Sequence, residues 1–289
     1  MNNSKQVTVR LFGGLGNQLF QYFAGLDLSL KTSSQLKVDA RWIEASYSQD
    51  ESDIRDFRFL KDTPIITKSD SGEIDFRLER LKTKIAGKSQ AGTKFFGLNV
   101  PNNPGFIEIN YLNPGVELRG YYQSYKYFDT VYRTLGIQDW SLEIESRLFL
   151  NFKNQLDAAP FIAVHVRGGY YLKKTNIYHK LDATYYANAL TRLKSELGEI
   201  RIFVFSDDTE YAKDILKNVP NLEFLDQEGM RASEAMILMS LAQGIVIANS
   251  TFSYWAAMIN TGKLIAAPKY WFKDTEVDMN LYPPSWIIL

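Results

Sequence analysis

The chain has 289 residues, of which 45% are hydrophobic and 23% are charged, and its 33 Lys and Arg residues balance 33 Asp and Glu residues. These proportions are typical of a globular protein, and the length suits two domains of about 140 residues each. The formal net charge of zero argues against nucleic acid as a main partner, and the absence of cysteine excludes disulfides and thiolate catalysis.

The first predicted strand begins within the N-terminal segment MNNSKQVTVRL. This segment lacks the apolar core of a signal peptide. Nowhere does the sequence approach the roughly 18 consecutive apolar residues of a membrane span. These observations predict a cytoplasmic protein without a transmembrane segment, and they leave peripheral association with a membrane open.

The opening segment predicts a strand, a turn, a helix and a second strand. Residues 6–12 are rich in β-branched and apolar side chains, and residues 35–40 resemble them. Between these strands, apolar residues recur with the period of one helix face, at Leu19, Tyr22, Phe23, Leu26 and Leu30. Residues 46–114 are rich in turns and interrupted by charges, which predicts helices and loops inserted in the first domain.

The second half of the chain has a clearer pattern. Residues 116–124 resume strand character, and residues 127–135 and 142–156 favour helices. From residue 161 onward, strands and helices alternate in units of ~25–30 residues, which is typical of a doubly wound sheet. We therefore predict an α/β fold of two Rossmann-like domains, residues 1–157 and 158–289, facing a cleft. Ligands of such sheets bind beyond the carboxyl ends of the strands, so the loops there are candidate sites.

The first candidate site is the turn GGLGNQ at residues 13–18. It carries the first two glycines of the dinucleotide fingerprint G-x-G-x-x-G, Gly14 and Gly16, but Leu19 stands where the third belongs. These glycines either let the backbone approach a ligand at a helix N-terminus or only permit close packing of helix on strand. The amide side chains of Asn17 and Gln18 favour a polar ligand, since each both donates and accepts hydrogen bonds.

The second candidate site is HVRGG at residues 165–169, which ends the strand that begins at residue 161. Strand alternation places His165 and Arg167 on one face. An arginine at the carboxyl end of a strand, followed by Gly168 and Gly169, is suited to clamping a phosphate, and a structural salt bridge is the simpler alternative.

Two further strand ends carry polar clusters. NSTFS at residues 249–253 begins a helix, so its polar side chains either cap that helix or leave its N–H groups for a diphosphate. In SDD at residues 206–208, a carboxylate either accepts the N–H groups of a guanine edge or caps the next helix. We expect no metal site, since His165 and His179 are the only histidines and no Asp-x-Asp pair occurs. The charge of a departing diphosphate would then be met by arginine and helix termini.

An NAD-dependent oxidoreductase is a competing interpretation from another class. Gly14, Gly16 and Asp39 support it, because Asp39 ends the second predicted strand, where a ribose-binding acid belongs. Leu19 in place of the third glycine and the HVRGG loop argue against it.

Taken together, these loops resemble the bacterial α-1,2-fucosyltransferases of glycosyltransferase family eleven. The resemblance covers nearly the whole chain, through GGLGNQLFQYFAG, GYYQSYKYF, HVRGGYYL, FSDD, ANSTFSYWAA and APKYWF in the family's order. It implies a GT-B-type fold with the acceptor on the side of residues 1–157 and a GDP-sugar bound by residues 158–289. It further implies inverting transfer from GDP-β-L-fucose to a hydroxyl of a glycan acceptor, expected at O2 of galactose, with no metal or other cofactor, in polysaccharide assembly.

The resemblance also implies roles for individual residues. Arg167 would be catalytic, holding the β-phosphate and offsetting the charge on departing GDP. His165 and an aspartate of the SDD segment would serve the nucleotide, while Ser250 and Thr251 would meet the diphosphate at a helix start. The full implied donor-binding set is Gly14, Gly16, Asn17, Gln18, His165, Arg167, Asp207, Asp208, Asn249, Ser250, Thr251 and Phe252.

The chain departs from the family's HxRRGDYL motif at Gly168 and Tyr170, where the family has arginine and aspartate. Loss of one positioned donor to a transition-state charge typically lowers a rate by ~10²–10³. If the two missing side chains pair with each other in the family, their joint loss leaves no buried charge unpaired. We hypothesise that Lys173 or Lys174 supplies some of the missing positive potential. The alternatives to fucosyl transfer are a GDP-sugar-binding protein without transfer activity and a transferase for a different GDP-sugar.

Overall fold

The computed structural model describes residues 6–46, 54–67, 70, 98–99, 106, 116–131, 140–169, 177–260, 263–273, 275–276 and 280–289. The chain forms two compact units, of which the first comprises Met1–Asp53 and Leu60–Gly136 and the second comprises Ile54–Phe59 and Ile137–Leu289. Most of the segment 46–114, and the residues Tyr170, Lys173 and Lys174, lie outside the described residues.

The first unit contains a parallel sheet. Its strands and helices in the described ranges are β1 (Gln6–Arg10), α1 (Leu15–Lys31), β2 (Gln35–Asp39), α2 (Arg41–Ser46), β3 (Ile65–Ile66), β4 (Leu98–Asn99) and β5 (Val116–Arg119). The strands lie in the order β3-β2-β1-β5-β4, and each neighbouring pair is parallel. The predicted opening of strand, helix and strand is confirmed.

Helix α1 packs on this sheet through a wide apolar face. Leu19 and Phe23 are buried as predicted, whereas Leu30, next to the helix end, is 45% exposed. A Cβ atom on Gly25 would lie 3.1 Å from side chains of β1 and of β2, so glycine permits the close approach of helix and sheet at this point.

The second unit contains a larger parallel sheet and an antiparallel strand pair. Its strands and helices in the described ranges are α3 (Arg147–Asp157), β6 (Phe161–Val166), α4 (Ala183–Leu197), β7 (Arg201–Ser206), α5 (Thr209–Ile215), β8 (Leu222–Phe224), α6 (Ala232–Ser240), β9 (Gly244–Val246), α7 (Thr251–Ile259), β10 (Leu264–Ala267), β11 (Tyr270–Phe272), β12 (Thr275–Glu276) and β13 (Ile287–Ile288). The parallel strands lie in the order β13-β10-β9-β6-β7-β8, and β11 pairs antiparallel with β12. The alternation predicted from residue 161 onward is confirmed.

The division between the units falls after residue 136, earlier than the boundary at residue 157 that the sequence pattern favours. Helix α3 belongs to the second unit, where it packs against α6. The backbone N–H of Ser146, just before α3, donates to Glu234 of α6 at 2.7 Å. The short segment Ile54–Phe59 also belongs there, since Ser233 donates its hydroxyl to Asp56 at 2.6 Å.

Each sheet contains a point at which the direction of strand addition reverses. In the second unit the chain adds β7 and β8 on one side of β6, and β9 and β10 on the other. In the first unit β2 and β3 lie on one side of β1, and β5 and β4 on the other. Ligands of doubly wound sheets bind beyond the carboxyl ends of the strands at such a point. The loops after β6 and β9, and after β1 and β5, are therefore the places to search for function.

Candidate functional site

Three polar loops follow neighbouring strands at the carboxyl edge of the second sheet. They come after β7, β6 and β9, and they contain Asp207 and Asp208, Arg167 to Gly169, and Asn249 and Ser250, the last of which leads into helix α7. The topology thus aligns along one sheet edge the polar clusters that the sequence of the second half singles out.

Arg167 forms an ion pair with Asp207 at this edge. Its Nη1 lies 3.0 Å from Asp207 Oδ2, and the two side chains are 29% and 30% exposed. The backbone N–H of Gly168 donates to Asp207 Oδ1 at 2.8 Å. The carboxylate therefore holds the guanidinium at the sheet edge, where part of its surface is open to an incoming anion.

Gly168 permits this arrangement because it has no side chain. A Cβ atom at this position would lie 2.5 Å from Asp208 Cβ, a separation that real Cβ atoms do not show. Gly169 has a φ of +48°, and a Cβ atom there would lie 2.8 Å from Asp207 Oδ2. An arginine at position 168, as in the family's motif, does not fit this loop conformation.

The two aspartates after β7 have different roles in the fold. Asp208 Oδ1 accepts the backbone N–H of Tyr211 at 3.1 Å, so Asp208 caps helix α5. Its own N–H is accepted by Ser206 Oγ at 3.0 Å. Asp208 thus caps a helix through one carboxylate oxygen, and Asp207 is the carboxylate beside Arg167. That one of the two serves the nucleotide stays a prediction.

His165 lies buried beneath Arg167, on the face of β6 that meets helix α7. Its ring centroid is 5.2 Å from that of Phe252, and its Nδ1 is buried without a hydrogen-bond partner among the described residues. Burial, with a smaller contribution from the Arg167 charge, lowers the pKa of His165 to about 3. The imidazole is therefore neutral near pH 7 and adds no positive charge to the site.

The N-terminus of helix α7 lacks a side-chain cap. Ser250 occupies the N-cap position with extended backbone, but its hydroxyl makes no capping hydrogen bond. By contrast, Ser146, Asp182 and Asp208 cap α3, α4 and α5 with their side chains. The positive end of the α7 dipole is thus left to act on an anion, next to the strand that carries Arg167.

Asn249 has a structural role in the loop before α7. Its amide group donates to the backbone carbonyls of His179 and Trp271, both at 2.8 Å, and the side chain is buried. These two hydrogens are therefore not available to a diphosphate. Thr251 and Phe252, in the first turn of the helix, are half-buried.

The glycine loop of the first unit is held by its own side chains. Gln18 is 1% exposed, and its Nε2 donates to the carbonyl of Gly13 at 2.9 Å. Gly13 has a φ of +78°, which favours glycine at this turn. Gly14 is the N-cap of α1 and has no side-chain cap, and nothing lies within 4 Å of where its Cβ atom would stand. Gly16, the second residue of the helix, is buried.

Gln123, to which the sequence assigns no role, completes this loop. Its Nε2 donates to Asn17 Oδ1 at 3.0 Å, which links the start of α1, just after the loop that follows β1, to the loop after β5. The rings of Phe12 and Tyr121 meet edge to face in the same two loops, with centroids 5.0 Å apart. Because β1 and β5 are far apart in the chain, only the sheet topology reveals that these residues are neighbours.

Asp39 is buried and paired with an arginine. Its carboxylate accepts Nε and Nη2 of Arg41 at 2.8 and 2.7 Å, and its side chain is 1% exposed. The carboxylate on which the NAD interpretation depends is therefore already occupied by hydrogen bonds to Arg41.

The described residues contain neither a cluster suited to a metal ion nor a helix suited to a membrane. No group of three or more His, Asp or Glu side chains there is arranged to hold a metal ion. None of the helices in those ranges is both long and apolar enough to cross a bilayer.

Comparison with known proteins gives concordant results. An alpha-1,2-colitosyltransferase of Escherichia coli is 28% identical over 297 residues, covering 97% of this chain and 98% of that protein. The O-antigen biosynthesis glycosyltransferase WbnK of Escherichia coli is 27% identical over 304 residues, covering 96% and 99%. Among solved structures, a mutant of Arabidopsis thaliana FUT1 in complex with GDP has a TM-score of 0.53 at 16% identity, covering 98% of this chain and 73% of that chain.

The structural likeness concerns the fold, and it confirms the predicted α/β class of GT-B type with doubly wound units. The sequence profile of glycosyl transferase family 11 matches residues 116–289, more than half of the chain. The protein therefore belongs to glycosyl transferase family 11.

Proposed function

We propose that the protein transfers L-fucose from GDP-β-L-fucose, with inversion, to a hydroxyl of a glycan acceptor, at O2 of a galactose residue. Family membership and the resemblance of its loops to the α-1,2-fucosyltransferases support this assignment. The α-1,2 linkage in the name of the colitosyltransferase relative and the GDP bound to FUT1 agree with it.

The observation that carries the proposal is that Arg167 and the uncapped N-terminus of α7 follow two neighbouring strands, β6 and β9, at the reversal point of the second sheet. A guanidinium that Asp207 holds in place and the positive end of a helix dipole thus lie at the edge where a doubly wound sheet binds its ligand. A planar guanidinium suits the oxygens of a diphosphate, and free N–H groups at a helix start suit a second phosphate oxygen. This arrangement favours an anionic leaving group.

The reaction is a single displacement at the anomeric carbon. The acceptor oxygen forms a bond to C1 while the bond from C1 to the β-phosphate oxygen breaks, and GDP leaves with that electron pair. The proton of the acceptor hydroxyl passes to a base, for which we assign no residue. Negative charge grows on the diphosphate in the transition state, so Arg167 and the α7 dipole lower the barrier where they bind that charge most strongly.

A colitosyl donor is a second candidate, favoured by the name of one relative. Colitose is L-fucose without the 3-hydroxyl, so the two donors differ by a single hydrogen-bonding group. A site that hydrogen-bonds this hydroxyl rejects the deoxy sugar by up to ~10⁴–10⁵, whereas an apolar pocket discriminates weakly. The ratio of kcat/KM for the two GDP-sugars therefore identifies the donor.

The deciding experiment incubates the purified protein with GDP-fucose or GDP-colitose and a galactose-terminated acceptor such as lactose. We expect GDP release and a product heavier by one fucosyl residue, in α-linkage. Arg167→Ala should lower kcat by ~10²–10³. The matched control is Arg192→Ala on the surface of α4, where the arginine pairs with Glu196 at 2.7 Å. The kcat of this control should equal that of the wild type.

Two outcomes would contradict the proposal. Tight GDP binding by calorimetry without turnover of either donor on any acceptor would select a sugar-nucleotide-binding protein that has lost transfer activity. Full turnover by Arg167→Ala would show that Arg167 does not stabilise the charge on the departing diphosphate.

A further inference from the structure

A small antiparallel ribbon lies beyond the carboxyl end of β10. The residues 177–179 run alongside β11, because Tyr178 pairs with Phe272 in an antiparallel bridge. The His179 N–H donates to the carbonyl of Trp271 at 3.2 Å, and the Lys273 N–H donates to that of Ile177 at 2.8 Å. The ribbon is thus a regular, hydrogen-bonded feature of the second unit.

The ribbon carries four aromatic rings in two pairs. The Tyr178 and Phe272 rings lie 5.7 Å apart with 24° between their planes, and the His179 and Tyr270 rings lie 5.1 Å apart with 34° between theirs. All four side chains are half-buried, while Trp271 between them is buried in the core. The four rings are therefore anchored to the core and keep part of their surfaces exposed. We call Tyr178, His179, Tyr270 and Phe272 the aromatic platform.

Asn249 fixes this platform next to the diphosphate-binding end of α7. Its amide donates to His179 on one strand of the ribbon and to Trp271 on the other, both at 2.8 Å. Asn249 directly precedes Ser250, the N-cap of α7. Consecutive Cα atoms are ~3.8 Å apart, so the ribbon backbone passes within roughly 10 Å of the first N–H groups of the helix.

The chemistry of the platform suits a sugar. The C–H face of a pyranose packs on aromatic rings, while tyrosine hydroxyl, imidazole and ammonium groups at their edges bond to sugar hydroxyls. The Lys269 ammonium lies 5.6 Å from the Tyr270 ring centroid and provides such a group. Asp207, the carboxylate beside Arg167, follows β7, on the opposite side of β6 from the ribbon.

We propose that the aromatic platform binds the acceptor galactose beside the departing diphosphate, a role that rests on the proposed transfer. This gives the second unit a part in acceptor binding, in addition to the side of residues 1–157 that the family resemblance implies. Phe272 and Tyr178 supply the stacking surface, and Tyr270 and His179 bond the hydroxyls of the same sugar. Asn249 is a positioning residue that holds the platform in register with α7.

The test compares Phe272→Ala with Phe272→Tyr, which keeps the ring. We expect the alanine variant to raise the KM for lactose about tenfold, with the KM for GDP-fucose and the slow acceptor-independent hydrolysis of GDP-fucose unchanged. The tyrosine variant should stay within twofold of wild type for all three. Thermal unfolding of both variants establishes that the fold is intact, since Phe272 is only half-buried.

A binding measurement separates this proposal from the proposed function. Saturation-transfer NMR of lactose with the donor-free protein should show contact in the wild type and the tyrosine variant, and lose it in the alanine variant, whether or not GDP-fucose is turned over. An unchanged lactose KM and NMR signal in Phe272→Ala would overturn the platform. A rise confined to the KM for GDP-fucose would also overturn it, by assigning the rings to the donor sugar.

Discussion

Replacement of Gly168 with alanine should destabilise the second unit by about 2–4 kcal/mol. The new Cβ atom would lie 2.5 Å from Asp208 Cβ, whereas carbon atoms at contact prefer ~3.5–4.0 Å. Overpacking of this kind costs ~1–3 kcal/mol. Displacement of Asp208 would also weaken the cap on α5, which is worth ~1 kcal/mol. Arginine at this position, as in the family's motif, should be at least as destabilising and should not raise turnover.

A double-mutant cycle isolates the steric cause. Asp208→Gly removes the Cβ atom that Gly168→Ala would meet, and glycine at an N-cap costs only a few tenths of a kcal/mol. The double variant Gly168→Ala with Asp208→Gly should therefore recover most of the lost stability. The coupling free energy between the two positions should be about 2 kcal/mol.

Urea unfolding followed by tryptophan fluorescence measures this cycle. The chain has 5 tryptophans, and all but Trp42 belong to the second unit, so the signal reports mainly on the part of the chain that carries both substitutions. The reasoning fails if Gly168→Ala unfolds within about 0.5 kcal/mol of wild type, the range of an ordinary surface change. It also fails if the two single effects simply add.

Three further predictions concern the same unit. Ser146→Ala should lower the free energy of unfolding by ~1 kcal/mol, because the Ser146 hydroxyl accepts a hydrogen bond from the backbone N–H of Phe149 in its helix. Ser250→Ala should stay within about 0.5 kcal/mol of wild type, because the Ser250 hydroxyl makes no such bond. Equal losses of stability in thermal melts would contradict this. Burial, with the Arg167 charge, lowers the pKa of His165 to about 3, so between the ordinary value of 6.5 and that pH the unfolded state binds a proton that the folded state does not. The free energy of unfolding should therefore fall by up to ~1.4 kcal/mol per pH unit as the pH drops through this window, and the slope should be shallower in His165→Asn. Asn249→Ala should lower the free energy of unfolding by ~1–3 kcal/mol, because it removes both amide hydrogen bonds and leaves the Trp271 carbonyl only the 3.2 Å bond from the His179 N–H. A neutral result in urea would show that water replaces the amide.

Much of the second unit is predictable because its strands are buried on both faces. Near-continuous apolar runs such as those of β6 and β7 are typical of parallel strands covered by helices, and they stand out from the polar loops that follow them. This contrast between apolar strands and polar loops predicts, from the sequence alone, that Arg167 and Ser250 follow strand ends. The amphipathic pattern of α3 identifies a helix, but it does not indicate which sheet the helix accompanies.

The details of the site depend on contacts between distant positions. Asp207 and Asp208 are adjacent and chemically identical, so only the start of α5 and the space at Gly168 separate their roles. The partners of Asn249 lie 70 and 22 positions away, and a residue type typical of helix caps gives no hint of them. Gly168 illustrates the same point. From the sequence alone, glycine in place of the motif's arginine suggests lost function, whereas in the structure the position of Asp208 leaves no room for a side chain there.

The interleaved connectivity of the two units limits how such an enzyme can be rebuilt. The chain passes from one unit to the other after Asp53, after Phe59 and after Gly136. The short excursion carries Asp56, which accepts hydrogen bonds from Ser233 and from Arg231. A chimera cut at a single site would therefore carry a foreign hexapeptide in its second unit, and grafting that unit between relatives requires transplanting both pieces together.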